Sequence, residues 1–147
     1  MSLTPEDARA LIASAHEKAA DFRKSVSAAV VDAGGFIVLV ERQEGARPIT
    51  PMIAISKAYT AAVMQRPASM LKGWAEHEPV FFSAVSQLGH WPIMATDGAI
   101  TIKRGGEIIG GLGIAGGRAD EDEQIAKAAL EAGGYELDFE AWGQKKV

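Results

Sequence analysis

Apolar residues recur at helical spacing near the start of the chain. Ala8, Leu11, Ile12, Ala15, Ala19 and Phe22 share one face over residues 3–22. Thr4 stands as N-cap, Pro5 takes the first helical position and Asp7 follows at capping-box spacing, so the pattern predicts an amphipathic helix. The period then changes. Val26–Val31 and Phe36–Val40 are short, apolar runs rich in β-branched residues, and Asp32-Ala33-Gly34-Gly35 lies between them as a turn, which reads as a hairpin. Both runs are apolar on both faces, which predicts a sheet covered on each side.

After a polar loop over 41–49, Thr50 as N-cap and Pro51 open a second helix running to Gln65. It is apolar nearly all round, as expected of a helix buried on every side or held between a sheet and a neighbouring subunit. Short helical pieces are expected around Met70–Trp74 and Pro79–Val85, and a loop over 88–98. A second hairpin follows, with strands Ala99–Lys103 and Glu107–Ile114 about the turn Arg104-Gly105-Gly106. The last helix is expected to start at Asp120 as cap with Glu123 completing a capping box, and to stop at Gly133-Gly134. The order is α-β-β-α-(α)-β-β-α, a mixed α/β (α+β) class in which an antiparallel sheet is packed with helices. No linker divides residues 1–147, which read as a single domain.

Composition narrows the function classes. A chain of 147 residues with 48% hydrophobic and 23% charged positions reads as an ordinary globular domain. A net charge of −4 with scattered cations, and only Lys145 and Lys146 at the tail, argues against a nucleic-acid partner. No run approaches a membrane span, and no secretory leader is visible at the start. With no cysteine, thiolate metal sites and cysteine nucleophiles are excluded, and a cytoplasmic location is expected.

Gly110-Gly111-Leu112-Gly113 lies within an expected strand and lacks dinucleotide-loop spacing, so its glycines point to a close backbone approach or a bulge. His16, His77 and His90 are not paired at metal-binding spacing. His16, at the edge of the first helix's apolar face, is a candidate haem-iron ligand or simply a boundary histidine. Lys57 is the only charged residue between Arg47 and Arg66. It needs a carboxylate partner, from ligand or protein, unless its stem snorkels to water. Glu121, Asp122 and Glu123 suit the first turn of a helix through its dipole, or one of them pairs with Lys57 or Arg42 at a pocket. His90 and Trp91, with Phe81 and Phe82 upstream, offer an aromatic surface for an apolar pocket, a subunit contact or the core.

Ala29-Val30-Val31-Asp32-Ala33-Gly34-Gly35, Arg42-Gln43-Glu44-Gly45-Ala46, Lys57-Ala58-Tyr59-Thr60-Ala61, Gly106–Gly116 and Asp122-Glu123 with Ala126 resemble, in this order, the motifs of the GlcG/HbpS family. The resemblance runs from about residue 8 to 132. This chain departs from the family pattern at Gln43-Glu44, at Gly98-Ala99-Ile100-Thr101 and at Ala115, near the loops where a pocket is expected. The resemblance implies a profilin-like sandwich, homo-oligomers and, in some members, haem binding. Under it, Arg42 or Lys57 would pair ligand carboxylates, and His16 or an oxygen donor such as Thr101 would ligate iron. Three readings stay open: a haem or related small-molecule-binding protein; a small cofactor-free enzyme, a lyase or isomerase of a carboxylated or phenolic metabolite using Lys57 and Asp122 or Glu123; and an accessory oligomer without a ligand.

Overall fold

The computed structural model of the chain describes residues 2–139, so Lys145 and Lys146 lie outside the described residues. Helix α1 spans Pro5–Ala20 and starts where its cap dictates. Thr4 Oγ1 accepts from the Asp7 N–H at 3.1 Å, and the Asp7 carboxylate accepts from the Thr4 N–H at 3.0 Å. Strands β1 (Ser27–Asp32) and β2 (Ile37–Arg42) form the first hairpin. Strands β3 (Ala99–Arg104) and β4 (Glu107–Ala115) form the second. Between them run α2 (Thr50–Val63), a 3₁₀ turn at Ala68–Leu71, α3 (Lys72–His77) and α4 (Pro79–Ser86), and α5 (Ala119–Ala132) closes the order.

The two hairpins join through β1 and β4 into one antiparallel sheet of order β2-β1-β4-β3. Successive residues of a strand face opposite sides, and the core divides accordingly. Ala28, Val30, Ile100, Ile102, Leu112 and Ile114 pack with α1 and α5 on one face. Ala29, Val31 and Ala115 pack with α2 on the other. The expected fold class and element order are observed.

Three local expectations need correction. The outer strand β2 is half-exposed, not covered on both faces, because it is the edge of the sheet. Apolar composition reports what a strand is made of, not its rank in the sheet. Thr50 is the first residue of α2 and not its cap, which is Ile49. Its hydroxyl donates to the Arg47 carbonyl at 2.7 Å and lies 2.8 Å from Ser27 Oγ. The cap of α5 is Arg118, not Asp120, and Glu121, not Glu123, accepts from the cap's N–H at 2.8 Å. In a run of adjacent carboxylates, sequence spacing cannot select the one at the helix entrance.

Helix α2 lies directly on the sheet backbone, as the glycine run implied. A Cβ on Gly111 would stand 2.1 Å from the Ala58 carbonyl oxygen, and one on Gly113 the same distance from that of Ala54. Ala54, Ala58 and Ala62 supply the matching small face of the helix. This close seating carries the middle of α2 to the end of β4 and the start of α5, where the candidate site forms.

Candidate functional site

Lys57 sits mid-way along the buried helix α2, and its side chain is almost wholly withdrawn from water. Nζ donates to the Ile114 carbonyl at 2.7 Å and to Asp122 Oδ2 at 3.2 Å. The side chains of Lys57 and Asp122 are only 7% and 4% exposed, so each charge relies on the other. Asp122 Oδ1 also accepts from the Gly117 N–H at 2.9 Å, tying the pair to the turn between β4 and α5. Burial holds the Asp122 carboxyl above its ordinary range, against the opposing pull of Lys57 and the Gly117 N–H.

Gly98 covers this pair. Its φ is +82°, and a Cβ there would stand 2.7 Å from Asp122 Cβ and 3.1 Å from Lys57 Nζ, so only glycine fits. Glu123 holds the Gly98 N–H at 2.8 Å. It thus positions the loop above the pair but does not line the adjoining cavity. That cavity, of about 290 Å³, is walled by Ile53, Met94, Thr96, Ala115, the Gly116-Gly117 turn and Ala119, with Lys57 and Asp122 at its side.

The other sequence-selected residues lie elsewhere. Arg42 is exposed at the end of β2, with Nη1 3.3 Å from the Ala46 carbonyl, and lines neither that cavity nor its neighbour. His90 Nε2 donates to the Gly35 carbonyl at 3.1 Å, while its ring stacks on Phe36 at 4.9 Å and meets Tyr59 edge-on at 4.6 Å. Trp91 packs on the α2 side of the sheet. Phe81 and Phe82 contact Trp74, forming an aromatic group distinct from that of His90. Thr101 is fully buried and its hydroxyl donates to the Ala61 carbonyl at 2.8 Å.

His16 lies on the opposite side of the sheet, facing β2. Its Nδ1 is 3.2 Å from the Glu41 carboxylate, and its Nε2 is buried with no hydrogen-bond partner among the described residues. Burial lowers its pKa below the ordinary histidine value, with Glu41 opposing, so the neutral ring is favoured. The carboxylate on Nδ1 then places the proton there and leaves the lone pair on Nε2.

One feature escaped the sequence reading. Arg23, Lys24, Arg47 and Arg118 come from separate parts of the chain and line one cleft of about 590 Å³ at the end of the sheet, next to the Lys57 cavity. Scattered cations are gathered there by the fold, and no local spacing announces it.

The architecture is an antiparallel four-stranded sheet with α2 on one face and α1 and α5 on the other. The chain belongs to the HbpS-like family, described as haem degrading protein HbpS-like, whose model matches residues 3–131. It is 29% identical over 132 residues to the corrinoid adenosyltransferase PduO of Salmonella typhimurium, covering 90% of this chain and 39% of that protein. The chain thus spans about two fifths of the length of PduO. It is 33% identical over 117 residues to the protein GlcG of Escherichia coli K12, covering 76% of this chain and 80% of GlcG. Among solved structures, a complex of PduOC with haem superposes with a TM-score of 0.84 at 28% identity, covering 92% of this chain and 98% of that one. No helix among the described residues is long and apolar enough to cross a membrane.

Proposed function

We propose that this protein binds haem or a closely related planar small molecule, and that it works as a homo-oligomer. The observation that carries the reading is His16. A buried imidazole nitrogen without a partner costs free energy unless something satisfies it. Haem iron takes such a nitrogen, and a carboxylate on the other ring nitrogen sets the tautomer and raises the ligand's basicity. Glu41 stands in that second position. The similarity to a PduOC structure solved with haem supports the same reading. Haem, when bound, supplies an iron centre able to take part in redox and oxygen chemistry.

His16 fits such a group as donor, whereas Thr101 does not, because its hydroxyl is committed to the core. Nε2 is closed off, so the side chains over it must move aside for iron to reach it. A haem titration of the apo-protein, read at the Soret band in wild type and His16→Ala, tests the assignment.

The oligomer reading rests on α4. Val80, Phe81 and Leu88 on and just after this helix are 85%, 58% and 81% exposed, an apolar surface of the kind that subunit contacts cover.

A second reading is favoured by the Lys57–Asp122 pair and its cavity. Asp122, its carboxyl raised by burial, would move a proton on a small carboxylated or phenolic metabolite, and Lys57 would stabilise developing negative charge. Deuterium uptake from heavy water into a panel of small keto and hydroxy acids, followed by NMR and compared with Asp122→Asn, tests it. No uptake in the wild type, or uptake unchanged in the variant, removes it.

A further inference from the structure

The cleft beside the Lys57 cavity concentrates positive charge in a protein whose net charge is −4. Its walls come from three connections at one end of the sheet. Arg23, Lys24 and Ser25 follow α1, Gly45 to Arg47 follow β2, and Gly116, Gly117 and Arg118 follow β4. Two of its four cations already have partners. Lys24 Nζ is 3.7 Å from Glu121 Oε1, and Arg118 pairs with Asp120 at 3.2 and 3.3 Å. Arg23 and Arg47 have no side-chain partner among the described residues. Two unpaired guanidinium groups thus border one concave space, and guanidinium is the side chain best shaped to hold an oxyanion in a planar, two-pronged contact.

Arg23 also stands at a backbone cost. Its φ is +55°, the left-handed region that glycine or asparagine enters readily and arginine rarely does. The conformation ends α1, with the Lys24 N–H donating to the Ala19 carbonyl at 3.2 Å and the Arg23 N–H to that of Ala20 at 3.0 Å, and it sets Arg23 beside Lys24 and Ser25 on the cleft wall. The α5 entrance is not the anion's partner, since the Gly117 and Arg118 N–H groups already donate to Asp122 and Glu121. A volume of about 590 Å³ is more than a bare ion needs and falls in the range of metabolite sites. Ile53 and the Gly116-Gly117 turn wall both this cleft and the Lys57 cavity, so a molecule anchored at the arginines extends over Ile53 towards Lys57.

We infer that Arg23 and Arg47 anchor the carboxylate or phosphate group of a small metabolite in this cleft. The site is separate from His16 and goes beyond haem binding. At low ionic strength, inorganic phosphate and succinate are titrated into the full chain and followed by backbone amide shifts. Saturable shifts are expected at Ser25, Gly45, Gly116 and Gly117, and the tighter probe names the ligand class. Arg23→Gly with Arg47→Ala should weaken that binding at least tenfold, since glycine suits the backbone at 23 and both changes are on the surface. Arg47→Lys should retain part of it. Arg9→Ala, which removes one positive charge outside the cleft, should leave it within twofold, as should His16→Ala. Absence of saturation with both probes, undiminished binding in the double variant, or equal loss in Arg9→Ala overturns the inference. None of these outcomes bears on haem binding, which the Soret titration reads separately.

Discussion

Lys57 Nζ and Asp122 Oδ2 lie 3.2 Å apart with both side chains withdrawn from water, joining the middle of α2 to the first turn of α5 across the end of β4. Such a pair is a weak source of net stability but is costly to break from one side. Asp122→Asn leaves a buried ammonium facing a neutral amide, and should lower stability by roughly 3–5 kcal/mol. Replacing both partners, Lys57→Met with Asp122→Leu, removes the stranded charge and should recover part of that loss, leaving the Gly117 N–H without its acceptor. Urea unfolding midpoints of the three proteins measure this. A single variant within 1 kcal/mol of wild type, an amount small against that range, would mean that the pair is not closed in solution.

The seating of α2 on Gly111 and Gly113 makes a second prediction. Gly113→Ala places a methyl group inside contact distance of the Ala54 carbonyl and must lift the helix. Overpacking of this kind costs about 2 kcal/mol, or roughly 6 °C in a thermal melt of a domain this size. Gly105→Ala, where a Cβ meets nothing within 4 Å, carries only the cost of its φ of +58° and separates backbone strain from packing.

How much of this was legible in the sequence differs by level. The α1 cap could be read because Thr4, Pro5 and Asp7 act on one another locally. The glycine run on β4 could be read because three such residues in nine mark a strand where another backbone comes close or the strand bulges. Lys57 stood out because an isolated charge in an apolar helix requires a partner, though three adjacent carboxylates left the choice among Glu121, Asp122 and Glu123 open. The edge position of β2, the burial of Thr101 and the arginine cleft were not legible. Each depends on which segments become neighbours across the sheet, and nothing local encodes that.

The pH dependence of stability follows from His16. Burial depresses its folded pKa below the ordinary value of 6.5. In the window between the two, the unfolded chain binds the proton and the folded chain does not, so stability rises with pH there. The contribution is complete above pH 6.5 and is lost as pH falls through the depressed value. His16→Gln should flatten that part of a stability–pH curve measured by urea unfolding. A slope that survives the substitution would assign it to other groups.

The apolar surface at α4 predicts association. Val80→Asp with Leu88→Asp should shift the protein towards monomer in sedimentation velocity at micromolar concentration, with little change in melting temperature, because neither residue is part of the core. A wild type that is already monomeric removes the homo-oligomer reading.

Haem binding through His16 is decided by a titration of the purified apo-protein followed at the Soret band. Wild type should give a saturable, stoichiometric shift. His16→Ala should abolish it or weaken it by at least tenfold, while Thr101→Val should leave it unchanged. A wild type without saturation, or a His16→Ala protein that binds haem as the wild type does, contradicts the assignment of His16 as ligand.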